Sequence, residues 1–158
     1  MEKKGFTLLE LLIVIVILGA LASLITGNFI SSLKKGRDAR RKTDLTEIQK
    51  ALEMYYESNG FYPSSLSFGG SLSDANRTYM QKVPTDPTSN CSYLYRVDSS
   101  AQSFYLLSTI ENSQDQSDGV SQSGYEDPDS PGNSLQCGNC TCKFYLSSPN
   151  ATPLTPMP

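Results

Sequence analysis

A run of 23 uncharged residues near the start of the chain, from Leu11 to Leu33, constrains the fold more than any other feature. About 20 apolar residues in a helix are enough to cross the hydrocarbon layer of a bilayer. A cleaved secretory signal has a shorter apolar centre, of about 7–15 residues, followed by a small-residue cleavage site. Ala20-Leu21-Ala22 imitates such a site, but the apolar character continues through Phe29 and Ile30. The run therefore predicts a membrane-spanning helix over residues 6–33.

The charges and the missing residue types exclude several function classes. The chain has 13 Lys and Arg, 16 Asp and Glu and no His, for a net charge of −3. Residues 45–158 hold five basic and twelve acidic side chains, which disfavours nucleic acid as a primary ligand, since its binding needs clustered Lys and Arg. The absence of His removes the commonest general base. We find no catalytic constellation and predict that the chain is not an enzyme.

Glu10 is the anomaly at the edge of the apolar run, because a carboxylate inside a membrane-spanning helix costs a few kcal/mol and needs a partner. Acidic residues also favour the first turn of any helix, where they face the positive end of the helix dipole. The carboxylate is therefore either an ordinary helix start or the partner of a positive charge on another chain. Composition alone leaves both interpretations open.

The residues around Glu10 form a specific motif. Gly5-Phe6-Thr7-Leu8-Leu9-Glu10, preceded by Lys3-Lys4, resembles the processing motif of type IV pilins and type II secretion pseudopilins. The resemblance implies that a prepilin peptidase removes a leader, residues 1–5, by cutting between Gly5 and Phe6. It also implies that Phe6 becomes a methylated amino terminus, and that Glu10 pairs with that amine on a neighbouring subunit.

Two further motifs resemble the G-type, or major, pseudopilin pattern: Asn59-Gly60-Phe61-Tyr62-Pro63 and Val83-Pro84-Thr85-Asp86-Pro87. The resemblance implies a subunit that forms a homo-oligomeric helical filament with the help of an inner-membrane assembly platform and motor. The C-terminal part departs from the pattern, so the sequence leaves both a type IV pilus and a secretion pseudopilus open. The alternative is a monomeric, signal-anchored extracytoplasmic binding protein, which would need neither Glu10 nor the Gly5-Phe6 junction.

The helix continues beyond the apolar run. Leu45, Ile48, Leu52 and Tyr55 are spaced three, four and three residues apart, which places them on one helix face. Gly60 predicts the end of a helix of about 52 residues that starts near Thr7. Within it, Gly19 and Gly27 either loosen the helix during subunit packing or allow close helix approach.

The predicted fold is α+β and pilin-like, with this spine helix packed on a small antiparallel sheet. We expect strands over 93–97, 104–110 and 143–146, and a short helix over 74–81. The predicted organisation is a leader (1–5), a membrane and assembly helix (6–33), a head (34–146) and a flexible tail (147–158), since the tail has four Pro and no charge.

The orientation rests on conflicting signals. A collar of basic residues follows the span, formed by Lys34, Lys35, Arg37, Arg40, Arg41 and Lys42, and positive residues normally stay in the cytoplasm. We give more weight to the processing motif, because the resemblance implies a cytoplasmic leader. We therefore predict a single-pass protein of the bacterial inner membrane with its head outside, which then joins an extracellular or periplasmic filament. The collar is interpreted as a solvated face that contacts lipid phosphates or acidic neighbours.

Two residue groups in the C-terminal half are candidate ligand or cross-link sites. Residues 111–129 hold six acidic and no basic side chains. The resemblance implies a calcium site there, with Asp115, Asp118, Asp127 and Asp129 as the hard oxygen ligands, whereas a simply solvated loop is the alternative. Cys91, Cys137, Cys140 and Cys142 predict two disulfides, and Cys91 is expected to join one of the other three. A four-thiolate zinc site is the weaker alternative.

Overall fold

Helix α1 (Leu8–Asn59) is the spine of the molecule. The computed structural model describes residues 5–23 and 29–158, so the prediction for Gly27 lies outside the described residues. The helix has 52 residues, a length of about 78 Å at 1.5 Å per residue. It ends at Gly60, which adopts a left-handed φ of 78° and donates its N–H to the Tyr56 carbonyl at 2.7 Å. The predicted length and end of the helix are confirmed.

The two halves of α1 have different surroundings. In the second half, the predicted face is buried, because Leu45, Ile48 and Leu52 have no exposed surface. In the first half, the large apolar side chains that the structure describes are exposed. Within the described residues, no helix is both long enough and apolar enough to cross a membrane, so the span over residues 6–33 stays a prediction.

The chain leaves α1 through a sharp return that packs an aromatic side chain on the helix. Tyr62 is 2% exposed, its ring stacks on Tyr56 with centroids 4.5 Å apart, and its hydroxyl donates to Glu53 Oε2 at 3.0 Å. Phe104 also contacts the Tyr62 ring in an edge arrangement, with ring centroids 4.7 Å apart. The return therefore closes the core between the helix and the sheet.

The main sheet is three-stranded and antiparallel, in the order β3 (Leu94–Val97), β4 (Phe104–Ser108), β9 (Phe144–Ser147). The two flanking strands pair with opposite edges of β4, for example Val97 with Phe104 and Leu106 with Leu146. The three predicted strands are confirmed to within two residues at each end. The β-strands are β1 (Leu72–Ser73), β2 (Thr78–Met80), β3 (Leu94–Val97), β4 (Phe104–Ser108), β5 (Glu126–Asp127), β6 (Ser130–Ser134), β7 (Gln136–Cys137), β8 (Cys140–Thr141) and β9 (Phe144–Ser147).

Strand β4 separates two apolar cores, because neighbouring side chains on a strand point to opposite faces. Phe104 and Leu106 pack with the buried face of α1. Leu107 faces the other way and packs with residues from the C-terminal region, among them Tyr125 and Leu135. The head therefore has three layers: the helix, the sheet, and a set of short hairpins and loops formed by residues 119–143 and 148–157.

The short helix predicted over residues 74–81 is wrong. This segment forms the hairpin of β1 and β2, in which Leu72 pairs with Met80. The Asp74 carboxylate accepts the backbone N–H groups of Asn76 and Arg77, both at 2.7 Å. Asp side chains compete in this way with helical hydrogen bonds and favour turns, which explains the difference.

The C-terminal segment, predicted as a flexible tail over residues 147–158, makes contacts with the rest of the head. Ser148 is 2% exposed and its Oγ accepts the Phe104 N–H at 3.1 Å. Leu154 joins the second core, and Met157 donates its N–H to the Gly124 carbonyl at 2.9 Å. The tail packs because its own backbone and one leucine complete the outer layer, which its proline-rich composition does not reveal.

Candidate functional site

The processing motif lies at the bare end of α1. Gly5 and Phe6 precede the helix, Phe6 is 81% exposed, and a Cβ built on Gly5 would meet no atom within 4 Å. Both sides of the predicted cleavage bond are therefore free of contacts with the head. Such an arrangement leaves the junction accessible to a peptidase.

Glu10 closes a capping box at the start of α1. Its Oε2 accepts the Thr7 backbone N–H at 2.9 Å and the Thr7 hydroxyl at 2.8 Å, while Thr7 Oγ1 accepts the Glu10 N–H at 3.2 Å. This is the helix-start role that composition left open. The carboxylate remains exposed, and within the described part of the chain it forms hydrogen bonds with Thr7 and no ion pair. Its pairing with the amine of a second chain stays a prediction.

The surface of α1 on both sides of Glu10 is apolar and uncovered. Leu8 is 87% exposed, and a Cβ on Gly19 would meet no atom within 4 Å, so the predicted role of Gly19 in subunit packing involves no contact within this chain. The exposed large apolar residues of this half are Phe6, Leu8, Leu9, Leu11, Leu12, Ile13, Val14, Ile15, Val16, Ile17, Leu18, Leu21, Phe29, Ile30 and Leu33.

A buried cation fixes the helix to the head where this surface ends. Arg41 has no exposed surface, and its guanidinium bonds Asp86 at 2.8 Å and 3.0 Å, Asp38 at 2.9 Å and Glu111 at 2.8 Å. Burial alone would lower the pKa of Arg41, but the hydrogen bonds that its guanidinium donates to the three carboxylates outweigh this effect and raise that pKa. The arginine therefore stays charged at the centre of the cluster. We call these four residues, with Arg37, the Arg41 clamp.

The clamp also holds the loop that follows β4. Asp38 accepts the backbone N–H of Glu111 at 3.0 Å and that of Asn112 at 2.8 Å. Arg37 donates its Nε to Glu111 Oε1 at 2.8 Å. This hydrogen bond, with those from Arg41, lowers the pKa of Glu111 to about 2. Two elements distant in sequence are thereby attached to one turn of α1.

The solvated interpretation of the whole basic collar is therefore wrong. Lys34 and Lys35 are exposed as expected, but Arg41 is buried and Arg37 and Lys42 turn toward acidic residues of the same chain. Sequence reasoning missed these roles because the partners lie 45–75 residues away. The one local signal was the spacing of Asp38 and Arg41, three residues apart on a helix.

The four predicted calcium ligands do not come together. Asp115 bonds Lys42 Nζ at 2.6 Å, whereas Asp127 and Asp129 both bond Arg96, the latter at 2.9 Å. Asp118 is exposed. Among the described residues, no group of three or more Asp, Glu, Cys or His side chains is placed to hold a metal ion.

One disulfide joins the C-terminal layer to the loop before β3, and a second lies within that layer. Cys91 pairs with Cys140, with Cα atoms 5.4 Å apart, and Cys137 pairs with Cys142, with Cα atoms 5.1 Å apart. The structure thus agrees with the predicted link from Cys91 to the C-terminal three. All four thiols are used, so they form no zinc site in this arrangement.

Comparison with known proteins identifies this combination of motif and head. A family model described as the prokaryotic N-terminal methylation motif matches residues 1–26. A second model, described as type II secretion system (T2SS), protein G, matches residues 28–123. No solved structure matches the chain.

Curated relatives carry the same description, type II secretion system core protein G. The Escherichia coli K12 protein is 33% identical over 100 residues, which cover 56% of this chain and 69% of that protein. The Aeromonas hydrophila protein is also 33% identical over 100 residues, covering 56% and 70%. The Pectobacterium carotovorum protein is 43% identical over 64 residues, covering 40% and 41%. Because the protein G model alone matches 96 of the 158 residues, the chain belongs to the protein G family of the type II secretion system.

Proposed function

We propose that this protein is a structural subunit that polymerises into the pseudopilus of a type II secretion system after cleavage between Gly5 and Phe6. Its family is one of structural pseudopilins and not of enzymes. Polymerisation proceeds through the N-terminal half of α1, whose large apolar side chains are exposed, and which we call the bare half of α1. The head forms the surface of the filament. Copies of the same chain are the main partners, and the filament is helical.

The observation that carries this proposal is the difference in side-chain exposure between the two halves of one continuous helix. Leu45, Ile48 and Leu52 have no exposed surface, whereas Leu8 is 87% and Leu9 68% exposed. Full burial of a Leu or Ile side chain is worth about 1.5–3 kcal/mol, so a row of such residues must be covered by lipid or by protein. Before assembly lipid covers it, and in the filament neighbouring helices do so.

Glu10 gives the apolar surface a direction and a register. In a medium of low dielectric, a carboxylate is tolerated when an opposite charge meets it, and removal of one partner leaves the other stranded. Cleavage creates that opposite charge at Phe6, four residues before Glu10. A chain cannot easily fold its own terminus back across the capping box that Thr7 and Glu10 form. The amine of one subunit therefore meets the carboxylate of the next.

We further propose that the head lies outside the cytoplasm and that the leader lies inside. The two disulfides support this placement, since such bonds persist in oxidising compartments. A prepilin peptidase processes the leader, and an inner-membrane platform with its motor extracts the subunit from the lipid. The test fuses a reporter enzyme that works only in the cytoplasm after Pro158. Activity of this reporter would contradict the proposed orientation.

The test separates the two roles of Glu10 with two substitutions. Glu10→Ala removes both the capping box and the charge, whereas Glu10→Gln keeps a capping-box side chain at the same position and removes only the charge. We expect both variants to be cleaved and recovered in membranes, and neither to form filaments visible by electron microscopy when co-expressed with the secretion apparatus. Mass spectrometry should show that the wild-type protein begins at a methylated Phe6.

Each result has a definite consequence. Normal filaments from Glu10→Gln, but not from Glu10→Ala, would restrict Glu10 to capping its own helix. A wild-type protein that still begins at Met1 and stays singly dispersed in the membrane would overturn the structural role altogether.

A further inference from the structure

The acidic stretch from Glu111 to Asp129 contributes to the stability of the head, and this contribution does not depend on the proposed role in a filament. Its six carboxylates lie within 19 residues that contain no basic side chain. A loop of this composition is either solvated or binds a cation through its carboxylates. Calcium, with oxygen ligands at 2.3–2.6 Å, is the cation that such residues would suit. The contacts of the loop show which cation its carboxylates bind.

Lys42 of α1 reaches into the loop from the helix side. Its ammonium lies 2.6 Å from Asp115 Oδ2 and 2.5 Å from Ser117 Oγ, and 5.5 Å from the centre of the Phe144 ring. Asp115 Oδ1 accepts the backbone N–H and the hydroxyl of Ser117, at 3.0 Å and 2.8 Å. Both oxygens of this carboxylate are therefore occupied by donors of the protein.

The backbone oxygens of the loop are occupied in the same way. The Gln122 side-chain amide donates to the Asn112 carbonyl at 3.1 Å and to the Asp115 carbonyl at 2.8 Å. Carbonyl oxygens that converge on one point are typical calcium ligands. Here they converge on a neutral N–H donor.

Three further acidic side chains of the stretch are paired with other cations. Glu111 bonds Arg37 and Arg41, and Asp127 and Asp129 share Arg96 of β3. Burial would raise the pKa of Asp115, but the hydrogen bonds from Lys42 and Ser117 outweigh it and lower that pKa. Four of the six carboxylates are thus paired with basic residues that lie outside the stretch.

The far end of the loop is attached to the sheet without any charge. Ser121 donates its N–H to the Lys143 carbonyl at 2.8 Å, and Tyr145 donates its N–H to the Gly119 carbonyl at 3.0 Å. Gly119 has a left-handed φ of 76°, and an added Cβ would lie only 2.6 Å from the Tyr145 carbonyl oxygen. The loop is therefore closed at both ends by contacts within the chain.

We propose that the loop over residues 111–122 is folded by an internal cation, the Lys42 ammonium, supported by Arg37 and Arg41, and that the head needs no divalent metal. The residues implied as calcium ligands do not fit that role, because protein donors already occupy three of the four. Lys42 is thus a positioning residue that ties the acidic loop to α1.

The first experiment measures thermal unfolding of the full mature chain in detergent micelles, with EDTA or with about 10 mM calcium chloride, roughly tenfold above the weakest calcium Kd of extracellular modules. Saturation of a native-state site raises the unfolding temperature by several degrees. We expect equal midpoints in the two buffers and no binding heat by calorimetry. A calcium-dependent rise in the midpoint would overturn the proposal.

The second experiment compares Lys42→Met with Lys50→Met, an equivalent change at an exposed lysine eight residues further along α1. Lys42→Met should lower the midpoint by several degrees in both buffers, and Lys50→Met should leave it unchanged. Exchange of the pair, Lys42→Asp with Asp115→Lys, should recover part of the loss. Equal midpoints for Lys42→Met and wild type would contradict the role of Lys42, whatever the result with calcium.

Discussion

Arg41 shows how one charged residue can be stable in a core. Its guanidinium has five N–H donors, and carboxylates on three elements accept them at 2.8–3.0 Å: Asp38, Asp86 and Glu111. Thr88 adds a hydroxyl contact at 3.2 Å. Taking several charges out of water is costly, and a buried pair is tolerated only when its remaining hydrogen bonds are satisfied. The Arg41 clamp meets that condition, and it therefore specifies where the loops sit on α1.

We predict that Arg41→Met lowers the free energy of unfolding of the detergent-solubilised chain by about 3–5 kcal/mol, because removal of one partner leaves buried carboxylates uncompensated. Arg40→Met is the matched control. The Arg40 side chain is 65% exposed and lies 3.7 Å from Asp44 Oδ2, and such pairs are worth about 0–1 kcal/mol. Denaturant titration of both variants measures the difference. Equal losses in the two variants would contradict the clamp.

The clamp also makes stability depend on pH. The pKa of Glu111 falls from 4.5 to about 2, chiefly through its hydrogen bond with Arg37. A carboxylate whose pKa is lower in the folded state adds stability that is complete above the unfolded pKa and disappears as the pH falls through the folded value. We therefore expect the unfolding free energy to decline between about pH 5 and pH 2.

Glu111→Gln is the variant that identifies the source of this decline. It should be less stable than wild type at neutral pH and show a shallower loss of stability toward pH 2, because the substituted side chain no longer titrates. Thermal unfolding across the acid range measures both slopes. An unchanged slope would show that other carboxylates of lowered pKa, such as Asp86 and Asp115, dominate the acid response.

At the scale of elements, the C-terminal hairpin of β7 and β8 is attached to the loop before β3 by more than the disulfide between Cys91 and Cys140. Ser92 donates its N–H to the Cys137 carbonyl and Asn139 donates its N–H to the Asn90 carbonyl, both at 3.0 Å. Gly138 lies at the turn between these contacts with a φ of 71°. A Cβ there would lie 3.0 Å from the Ser92 nitrogen and 3.1 Å from the Asn90 oxygen.

Two glycines provide a matched test of this docking. Gly138 and Gly132 both have left-handed φ values, of 71° and 87°, but a Cβ on Gly132 would meet no atom within 4 Å. Gly132→Ala should cost only the conformational penalty of about 1–2 kcal/mol. Gly138→Ala should cost more, since the hairpin must also move away from the loop. Denaturant unfolding under oxidising conditions measures both, and equal costs would contradict the close approach.

The elements that sequence reasoning predicted are those with local signals. The face of Leu45, Ile48 and Leu52 has a helical period, and Gly60 supplies the left-handed end. The hairpin of β1 and β2 was missed because its strands have only two and three residues, too few for an alternating pattern. Its cause is a single Asp74 side chain that bonds the backbone, and propensity alone does not distinguish this turn from a helix start.

In the candidate site, too, the features with local sequence signals were predictable and those that depend on distant partners were not. The motif from Gly5 to Glu10 was recognisable because it is contiguous, and the capping box follows from Thr7 and Glu10 three residues apart. The partners of Arg41 and Lys42 were not predictable, since each lies at least 45 residues away except Asp38. Burial of a charge depends on which loops fold over it, and that depends on the whole sheet.

At the scale of the molecule, the head joins a part that the family model covers to a part that it does not. The protein G match ends at residue 123, and beyond it lie most members of the second core, among them Tyr125, Leu135 and Leu154. This outer layer covers the face of β4 that points away from α1. The region outside the match is therefore packed and disulfide-bonded, which explains why the proline-rich tail belongs to the fold.

The bare half of α1, by contrast, adds nothing to the core of the head. No residue from Gly5 to Gly36 is buried among those that the structure describes, and the first buried residue along the chain is Asp38. Removal of residues 1–30 should therefore leave every core contact in place. Ser31, at the new start, is a favourable residue for capping the shortened helix.

We predict that the fragment from Ser31 to Pro158 is soluble without detergent and monomeric, and that it unfolds at the same temperature as the full chain in micelles. Size-exclusion chromatography with light scattering and thermal unfolding measure these properties. The mature full chain should instead associate when detergent is removed, because its apolar half is left uncovered. A fragment that associates as strongly as the full chain would place the self-association surface on the head and not on α1. A fragment that fails to fold would show that the bare half of α1 supports the head through the helix itself, since none of its described side chains is buried.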